Sequence, residues 1–337
     1  MSTLRQDPTT RQWAIIAPKR GDRPHQEVQG PGRPPLPAFD PSCPFCPGNE
    51  DQTPPEILRH PSSAHWQVRV VPNLYGALSG DGSVARSGSP MFREMPGVGS
   101  HEVVVETPRH DGRLDEMSIP EVAQVLRVWR ARYRELIDQP HIRAVVVFKN
   151  FGALAGTSLL HTHSQIVATP VFLPRLLRRL DVATRYFDEN GVCVYDEVIA
   201  AERDAQTRIV EECGSFIAFE PFAATSPFET WIAPTRHEGS FGHIEDRDVD
   251  DLACLLIRVL GAIRKACRDP DLNLVVYSSP TDGHPEEVFH WHIKILPRLS
   301  TPAGFEIGSA MSINTVAPED AAVALRGALS TMEPPVR

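Results

Sequence analysis

The sequence is short of several things, and each shortage removes a class of function. No apolar run approaches the length of a membrane span. The first residues, MSTLRQDPTTRQW, have no apolar core, so a secretory signal is not expected there. Positive charge is not in excess: 34 Lys and Arg stand against 43 Asp and Glu, a net charge of −9. A protein held to nucleic acid by phosphate contacts needs the opposite balance. A small anionic ligand in a locally basic pocket is still allowed. Cysteine is sparse, with six in 337 residues, and only Cys43 and Cys46 form a close pair. That excludes a disulfide scaffold and points to a reducing, cytoplasmic compartment.

What is present is ordinary in bulk, with 41% apolar and 23% charged residues. The length suits one large domain or two average ones. Prolines cluster in Pro24–Pro47, Pro54–Pro61 and at the C-terminus, so those stretches read as loops.

The strongest pattern is an internal repeat. HEVVVETPRH (101–110) matches FETWIAPTRH (228–237): each is a β-rich run beside a glutamate that ends in Arg-His. A loop and a helical pattern follow in each case, Pro120–Ile137 and then Arg247–Cys267. Each helix leads to a β-branched run, AVVVFKN (144–150) or LNLVVYSS (272–279). Each run leads to a His-x-His and a strand ending in proline, HTHSQIVATP (161–170) or HWHIKILP (290–297). The offset from His110 to His237 is 127 residues, and from His163 to His292 it is 129. Five features in one order at nearly one offset imply two copies of an α+β unit of about 130 residues. The partly alternating, β-branched strands suit a half-buried antiparallel sheet with helices on one face. The division expected is residues 1–171, a linking segment 172–213 and residues 214–337. A helix is expected near Leu173–Glu189, with a turn at Asn190-Gly191.

Chemistry concentrates around the first His-x-His. In an extended strand His161 and His163 share a face. Cys43-Pro-Phe-Cys46 is a CxxC in a loop, and a CxxC with distant histidines reads as a Zn²⁺ site. Cys43, Cys46, His110 and His161 make a closed tetrahedral set; a redox pair or two loop thiols is the alternative. His163 is then free beside a loop containing Gly152, Gly156, Thr157 and Ser158. Exposed N–H groups in such a loop bind phosphate oxygens, and an imidazole in the right tautomer can attack phosphorus. A second metal ligand or a satisfied core histidine is the rival reading for His163. Gln165, two residues on, shares its face and can donate to a phosphate. Near the N-terminus, Arg20 and Arg23 follow a strand at Trp13–Pro18 and read either as a pyrophosphate clamp or as a solvated basic turn.

These residues sit in motifs that resemble the galactose-1-phosphate uridylyltransferase family, in the histidine-triad superfamily. The likeness runs through APKRGDRP, CPFCPGNE (43–50), VVPNLYGAL (70–78), ETPRHDGRL (106–114), FKNFGALAGTSLLHTHSQ (148–165), FAATSPFETWIAP (222–234) and HWHIKILP (290–297). The HTHSQ form, with FEIGSAMSIN (305–314), is similar to the branch that includes ADP-glucose phosphorylase. The resemblance implies an α+β fold of two histidine-triad-like halves, each an antiparallel sheet with helices packed on it. It implies Cys43, Cys46, His110 and His161 as structural zinc ligands and His163 as the nucleophile that becomes nucleotidylated. Ser158 and Gln165 become phosphate contacts. Asn150 and the Gly156, Thr157, Ser158 loop become the wall around the nucleotide, Asn73 a nucleoside contact, and Arg20 and Arg23 anion contacts.

The chain departs from the best-known uridylyltransferases in its C-terminal half. The segment after the active-site strand is FLPRLLRRLD, Lys294 stands where a histidine is expected, and Ala310 stands where a hexose-gripping glutamate is expected. Glu306 lies four residues earlier, which in a strand is the same face but roughly 13 Å away. Cys193, Asp196, His237 and His290 are either a second metal set or, for Cys193, an ordinary thiol.

The activity implied is a nucleotidyltransferase working by ping-pong through His163. The leading pair is UDP-glucose with galactose 1-phosphate; the alternative is ADP-glucose with inorganic phosphate. A nucleotide hydrolase and a zinc-dependent binding module are the readings from other classes. The partners implied are a nucleotide-sugar and a sugar phosphate or phosphate, with neither nucleic acid nor membrane; a homodimer stays open.

Overall fold

The computed structural model describes residues 1–22, 33–63, 65–80, 82–280 and 286–336. In chain order the strands are β1 (Thr3–Gln6), β2 (Trp13–Ile16), β3 (Leu58–His60), β4 (Val68–Pro72), a short hairpin β5 (Ser87–Gly88) and β6 (Arg93–Glu94), and β7 (Ser100–Val105). Helix α1 (Ile119–Ile137) leads to β8 (Ala144–Phe151) and β9 (His163–Thr169). Helices α2 (Pro174–Asn190) and α3 (Val194–Ala205) precede β10 (Ile209–Cys213), β11 (Phe216–Phe219) and β12 (Thr230–Pro234). Helix α4 (Asp246–Cys267), β13 (Leu272–Tyr277), β14 (His292–Pro297), α5 (Gly304–Ser309), β15 (Ser312–Asn314) and α6 (Pro318–Leu329) complete the chain.

Ten strands form one antiparallel sheet in the order β10-β11-β12-β14-β13-β8-β9-β7-β4-β3. Counted outward from the middle, each side has the strand after a long helix, the His-x-His strand, and the strand before the helix. The repeat in the sequence is therefore a repeat in the sheet. The two sides meet directly: β8 pairs with β13, with Asn150 opposite Asn273 and Val147 opposite Val276. A separate small sheet joins β1, β2 and β15, so the N-terminal strands lie beside the C-terminal segment.

The long helices form where sequence signals agree. In α1 the Ser118 hydroxyl and backbone N–H both donate to Glu121, at 2.6 and 2.8 Å, which fixes the first turn. Val122, Val125, Leu126, Trp129, Tyr133 and Leu136 then recur at helical spacing and are buried. Helix α4 buries Val249, Leu252, Leu256, Leu260 and Ile263 in the same way. Both helices and α6 cover one face of the sheet in a single large core. Each fully buried side chain of this size contributes about 1.5–3 kcal/mol of transfer free energy. Cys254 and Cys267 belong to α4 but are half-buried.

The opposite face is covered too, and differently on the two sides. On the second side α2 and α3 close over Ile217, Phe219, Trp231 and Ala233. On the first side the N-terminal loop supplies Cys43, Phe45, Cys46 and Trp66 against Val71, Val103 and Val105. Helices thus lie on both faces, beyond the single layer expected from strand alternation.

One expectation is overturned. Residues 305–314 do not continue as a strand: α5 occupies Gly304–Ser309, Ala310 is left-handed with φ of 56°, and only Ser312–Asn314 is extended. The Glu306 carboxylate accepts the Ala303 N–H at 3.0 Å, and the Ser309 hydroxyl donates to the Phe305 carbonyl at 2.6 Å. Four residues of helix advance about 6 Å, half the distance a strand would impose. Glu306 is nonetheless committed to capping its own helix. Among the described residues no helix is long and apolar enough to cross a membrane.

Candidate active site and metal centre

The strand β9 puts His163, Gln165 and Val167 on one face and Ser164, Ile166 and Ala168 on the other. Ile166 and Ala168 belong to the core under α1, and the Ser164 hydroxyl accepts the Trp129 indole N–H at 2.7 Å. Helix packing on one face therefore directs His163 toward the other. There His163 is only 7% exposed, with its ring 5.5 Å from that of Phe45, centroid to centroid.

The partners of His163 fix its chemistry. Its Nδ1 lies 2.8 Å from the His161 carbonyl. A carbonyl only accepts, so Nδ1 carries the proton and Nε2 carries the lone pair. Burial holds the imidazole below its ordinary range, and the nearby Lys149 ammonium acts in the same direction. The group is thus a neutral, oriented base or nucleophile. Beneath it Lys149 donates to Glu106 at 2.5 Å, to the Thr162 hydroxyl at 2.7 Å and to the His163 carbonyl at 3.0 Å. All three ammonium protons are engaged, and both charged side chains are buried.

The loop after β8 is shaped by glycines and held by the other half. Gly152 and Gly156 both have φ of 88°. A Cβ at Gly152 would come within 2.0 Å of an Asp271 carboxylate oxygen, so a side chain has no room there. Asp271 also accepts the Leu154 N–H at 2.5 Å and pairs with Arg33 at 2.7 Å. Asn273 donates to the Asn150 side-chain carbonyl at 2.8 Å and to the Ala155 carbonyl at 2.9 Å. The Thr157 hydroxyl donates to the Asn150 backbone carbonyl. A cavity of about 350 Å³ opens against this loop, and its walls include Asn150, Thr157, His161 and His163.

The remaining candidates fall as follows. Gln165 is on the His163 face and its carbonyl lies 2.8 Å from His101 Nε2. Asn73 sits at the turn after β4, 3.1 Å from the same nitrogen. Gly156 lies beside the Asn150 amide, while Ser158 is exposed on the loop. Arg20 is exposed on the 3-10 turn Pro18–Asp22 and is not part of the cavity wall; Arg23 lies outside the described residues. The sequence reading did not single out His101, Lys149, Glu106, Asp271 or Asn273. His101, Glu106, Lys149 and Asn273 stand inside motifs quoted above, but no pattern there marks a role for them, and Asp271 stands outside those motifs.

Cys43, Cys46, His110 and His161 come together as four buried ligands. The turn that presents the thiols is closed by the Cys46 N–H donating to the Cys43 carbonyl at 3.2 Å. Thiol sulfurs lie 3.6 to 3.7 Å from the histidine Nδ1 atoms. A tetrahedral ion with ordinary Zn–S and Zn–N bonds separates such atoms by about 3.6 Å, so the donor set fits. His161 donates from Nε2 to the Thr107 carbonyl at 2.7 Å, which leaves Nδ1 for a metal. Burial lowers His161 to about 4 and raises the Cys43 thiol to about 11. A bound cation must displace that thiol proton.

The equivalent place on the second side gathers Cys193, Asp196 and His237, with His290 against Asp196. Here the spacing differs. The two Asp196 oxygens lie 2.8 Å from His237 Nδ1 and 2.7 Å from His290 Nδ1. Those are hydrogen-bond distances, shorter than the edge of about 3.4 Å that a tetrahedral N/O metal site requires. Each histidine also donates to a backbone carbonyl, His237 to Glu286 and His290 to Pro234. Hydrogen bonding to Asp196 raises His237 to about 10. His292, the counterpart of His163, is stacked between Trp231 and Tyr277 at 4.3 and 5.1 Å and is 1% exposed.

The chain is similar to known proteins over nearly its whole length. The family model described as "Galactose-1-phosphate uridyl transferase, N-terminal domain" matches residues 1–172. ADP-glucose phosphorylase of Arabidopsis thaliana is 38% identical over 331 residues, covering 96% of this chain and 92% of that one. Galactose-1-phosphate uridylyltransferase of Thermotoga maritima is 28% identical over 336 residues, covering 97% and 98%. Among solved structures, the Arabidopsis thaliana ADP-glucose phosphorylase with bound ADP-glucose superposes with a TM-score of 0.84 at 35% identity, covering 97% and 98%. A uridylyltransferase superposes at 0.76 with 27% identity, covering 98% and 99%. The fold, the doubled His-x-His sheet and these matches agree: the chain is a nucleotidyltransferase that belongs to the galactose-1-phosphate uridylyltransferase family.

Proposed function

We propose that the chain transfers a nucleoside monophosphate from a nucleotide-sugar to a phosphate acceptor through a covalent intermediate on His163. The observation that carries this is the hydrogen bond from His163 Nδ1 to the His161 carbonyl, which aims an unprotonated Nε2 outward. In the first step Nε2 attacks the α-phosphorus, an N–P bond forms, and the P–O bond to the hexose 1-phosphate breaks. In the second step an oxygen of the acceptor phosphate attacks the same phosphorus and the N–P bond breaks, freeing His163. Asn150, Ser158 and the Gln165 amide offset charge on the phosphoryl oxygens, while the Leu154, Ala155, Gly156 and Thr157 N–H groups are spent on Asp271 and on the loop itself. Asn73 contacts the nucleoside, and Arg20, which stands outside the cavity wall, and Arg23 contact the anion where the donor extends beyond that wall.

Of the two substrate pairs expected from the sequence, ADP-glucose with inorganic phosphate has the better support. The relative that is 38% identical carries that activity in its name, against 28% for a uridylyltransferase. The commitment of Glu306 to its own helix cap agrees with an acceptor that has no sugar to grip. With phosphate as acceptor the second product is ADP.

In this reading the Cys43, Cys46, His110 and His161 set holds zinc, which anchors the N-terminal loop and leaves the phosphoryl chemistry to His163. Six free cysteines suit a reducing cytoplasm. The division into residues 1–171, 172–213 and 214–337 is part of the same proposal, although β10 of the middle segment pairs with β11.

The test is intact-mass measurement after incubation with ADP-glucose or UDP-glucose in turn. An AMP adduct on the wild-type chain, absent from His163→Ala, is the expected result. A labelled His163→Ala would refute the covalent route, and a UMP adduct formed in preference would reverse the donor. Hydrolysis of donor at an undiminished rate without any phosphate acceptor would mark a hydrolase.

A further inference from the structure

We infer that His101 is a positioning residue that sets the direction of the Gln165 amide, so that the amide faces the transferred phosphoryl group as a donor. The inference rests on the reading of Gln165 as a phosphate contact.

A glutamine side chain has two ends of opposite polarity and nearly identical shape. Turned one way it offers N–H groups to a phosphate oxygen; turned the other way it offers a carbonyl and repels it. Position on β9 alone does not decide between the two. His101 does. It stands on β7, the neighbour of β9, where the Glu102 to Ile166 pairing brings the two strands into register. The Ala77 backbone N–H lies 3.1 Å from His101 Nδ1. A backbone N–H can only donate, so Nδ1 must accept, and in the neutral ring the proton resides on Nε2. That Nε2–H lies 2.8 Å from Gln165 Oε1. The Gln165 carbonyl is thereby occupied, and its amide nitrogen is left with both protons for another acceptor. The chain of reasoning starts at a peptide group and runs through a ring whose two nitrogens have opposite roles, so it fixes a sign as well as a place.

The same ring ties in the nucleoside end. The Asn73 N–H donates to the His101 backbone carbonyl at 2.8 Å, and the Asn73 side-chain carbonyl accepts the Tyr75 N–H at 2.9 Å. Its amide nitrogen packs 3.1 Å from His101 Nε2. With Nε2 already a donor, the acceptor in this trio is Gln165. His101 thus joins the turn that contacts the nucleoside to the side chain that contacts the phosphate. Glu102, the next residue, faces the other side of the sheet and pairs with Arg132 at 2.7 Å, which holds β7 from below.

The experiment compares His101→Ala, His101→Gln, Gln165→Ala and the double variant His101→Ala with Gln165→Ala. The readouts are single-turnover adduct formation from ADP-glucose, KM for that donor, bound zinc and Tm. His101→Ala is expected to slow adduct formation by about 10- to 100-fold, the range seen when partners that orient metal-ligating side chains are removed, with zinc content unchanged. His101→Gln restores a donor at the Nε2 position and is expected to recover most of the rate. The double variant is expected to be no slower than Gln165→Ala, because His101 acts through that residue. Additive losses in the double variant, or a His101→Ala rate within twofold of wild type, would overturn the inference. If Gln165→Ala reacts at the wild-type rate while His163→Ala forms no adduct, the reading of Gln165 fails and the covalent mechanism stands.

Discussion

Lys149→Met tests the buried ion pair beneath His163. Lys149 is 4% exposed and Glu106 is 1% exposed. The substitution removes contacts at 2.5, 2.7 and 3.0 Å to Glu106, Thr162 and the His163 carbonyl. It leaves a carboxylate whose Oε1 already has no hydrogen-bond partner among the described residues and whose Oε2 keeps only the Thr162 hydroxyl. Breaking one partner out of a buried pair costs about 3–5 kcal/mol. Methionine keeps most of the volume, so little of that loss is cavity. Adding Glu106→Gln removes the stranded charge, and the remaining cost is that of imperfectly satisfied neutral groups, about 1–3 kcal/mol. The double variant should therefore be more stable than Lys149→Met alone, an inversion that volume arguments do not produce. The assay is urea unfolding of the two single variants, the double variant and wild type, with intact-mass labelling in parallel. Loss of the contact to the His163 carbonyl should slow labelling in both Lys149 variants. A Lys149→Met chain within 1 kcal/mol of wild type, or a double variant less stable than both singles, would refute the reasoning.

Cys43→Ser should lose its metal and melt at a lower temperature, with activity falling as a consequence, because metal binding energy is part of the folding energy of the N-terminal loop. Elemental analysis of wild type should find one zinc per chain; two would show that Asp196, His237 and His290 separate to admit an ion, and none would remove the first site. Glu220 is fully buried, and burial raises its carboxyl well above the ordinary range, with Glu229 adding to the effect. The folded chain keeps that proton while the unfolded chain releases it above about pH 4.3, so the stability tied to the proton is lost as pH rises toward the folded-state value. Glu220→Gln should accordingly raise Tm at pH 8 more than at pH 4.5, and an equal change at both would contradict the protonated state. With galactose 1-phosphate, glucose 1-phosphate and inorganic phosphate offered to the labelled enzyme, the two sugar phosphates should differ by less than about a hundredfold in kcat/KM, since one missing charge-assisted hydrogen bond accounts for about 1.5–3 kcal/mol. A larger preference for galactose 1-phosphate would mean that another side chain grips the sugar.

Much of this was readable before any coordinates. The offsets that link His110 with His237 and His163 with His292 became the two sides of one sheet, because both units use the same strand order, with the His-x-His strand between the strand before the helix and the strand after it. The four residues that could hold a metal were legible because thiols three positions apart and imidazoles near strand ends have few other uses in that pattern. What escaped was long-range and polar. Asp271 and Asn273 look like the start of an ordinary strand, yet they hold residues 150–155 across the β8 and β13 pairing. Lys149 and Glu106 were not singled out, since nothing local says that they will be buried against each other. Helix α5 was missed because a six-residue segment with two glycines and no buried residue shows neither helical nor strand periodicity.

The pairing of β8 with β13 makes the two copies of the repeat inseparable. A chain ending at residue 171 would contain His163 and all four residues of the candidate metal set. It would also present the bare edge of β8, a row of unpaired N–H and C=O groups that invites association with another chain. Its glycine loop would have lost Asp271 and Asn273 and would have no reason to keep its shape. The second copy, with its own histidine shut between two aromatic rings, does its work as a mould for its twin. The repeat therefore divides labour: one copy holds an open glycine loop beside its histidine, and the other braces that loop through Asp271 and Asn273 while its own histidine stays closed between two rings.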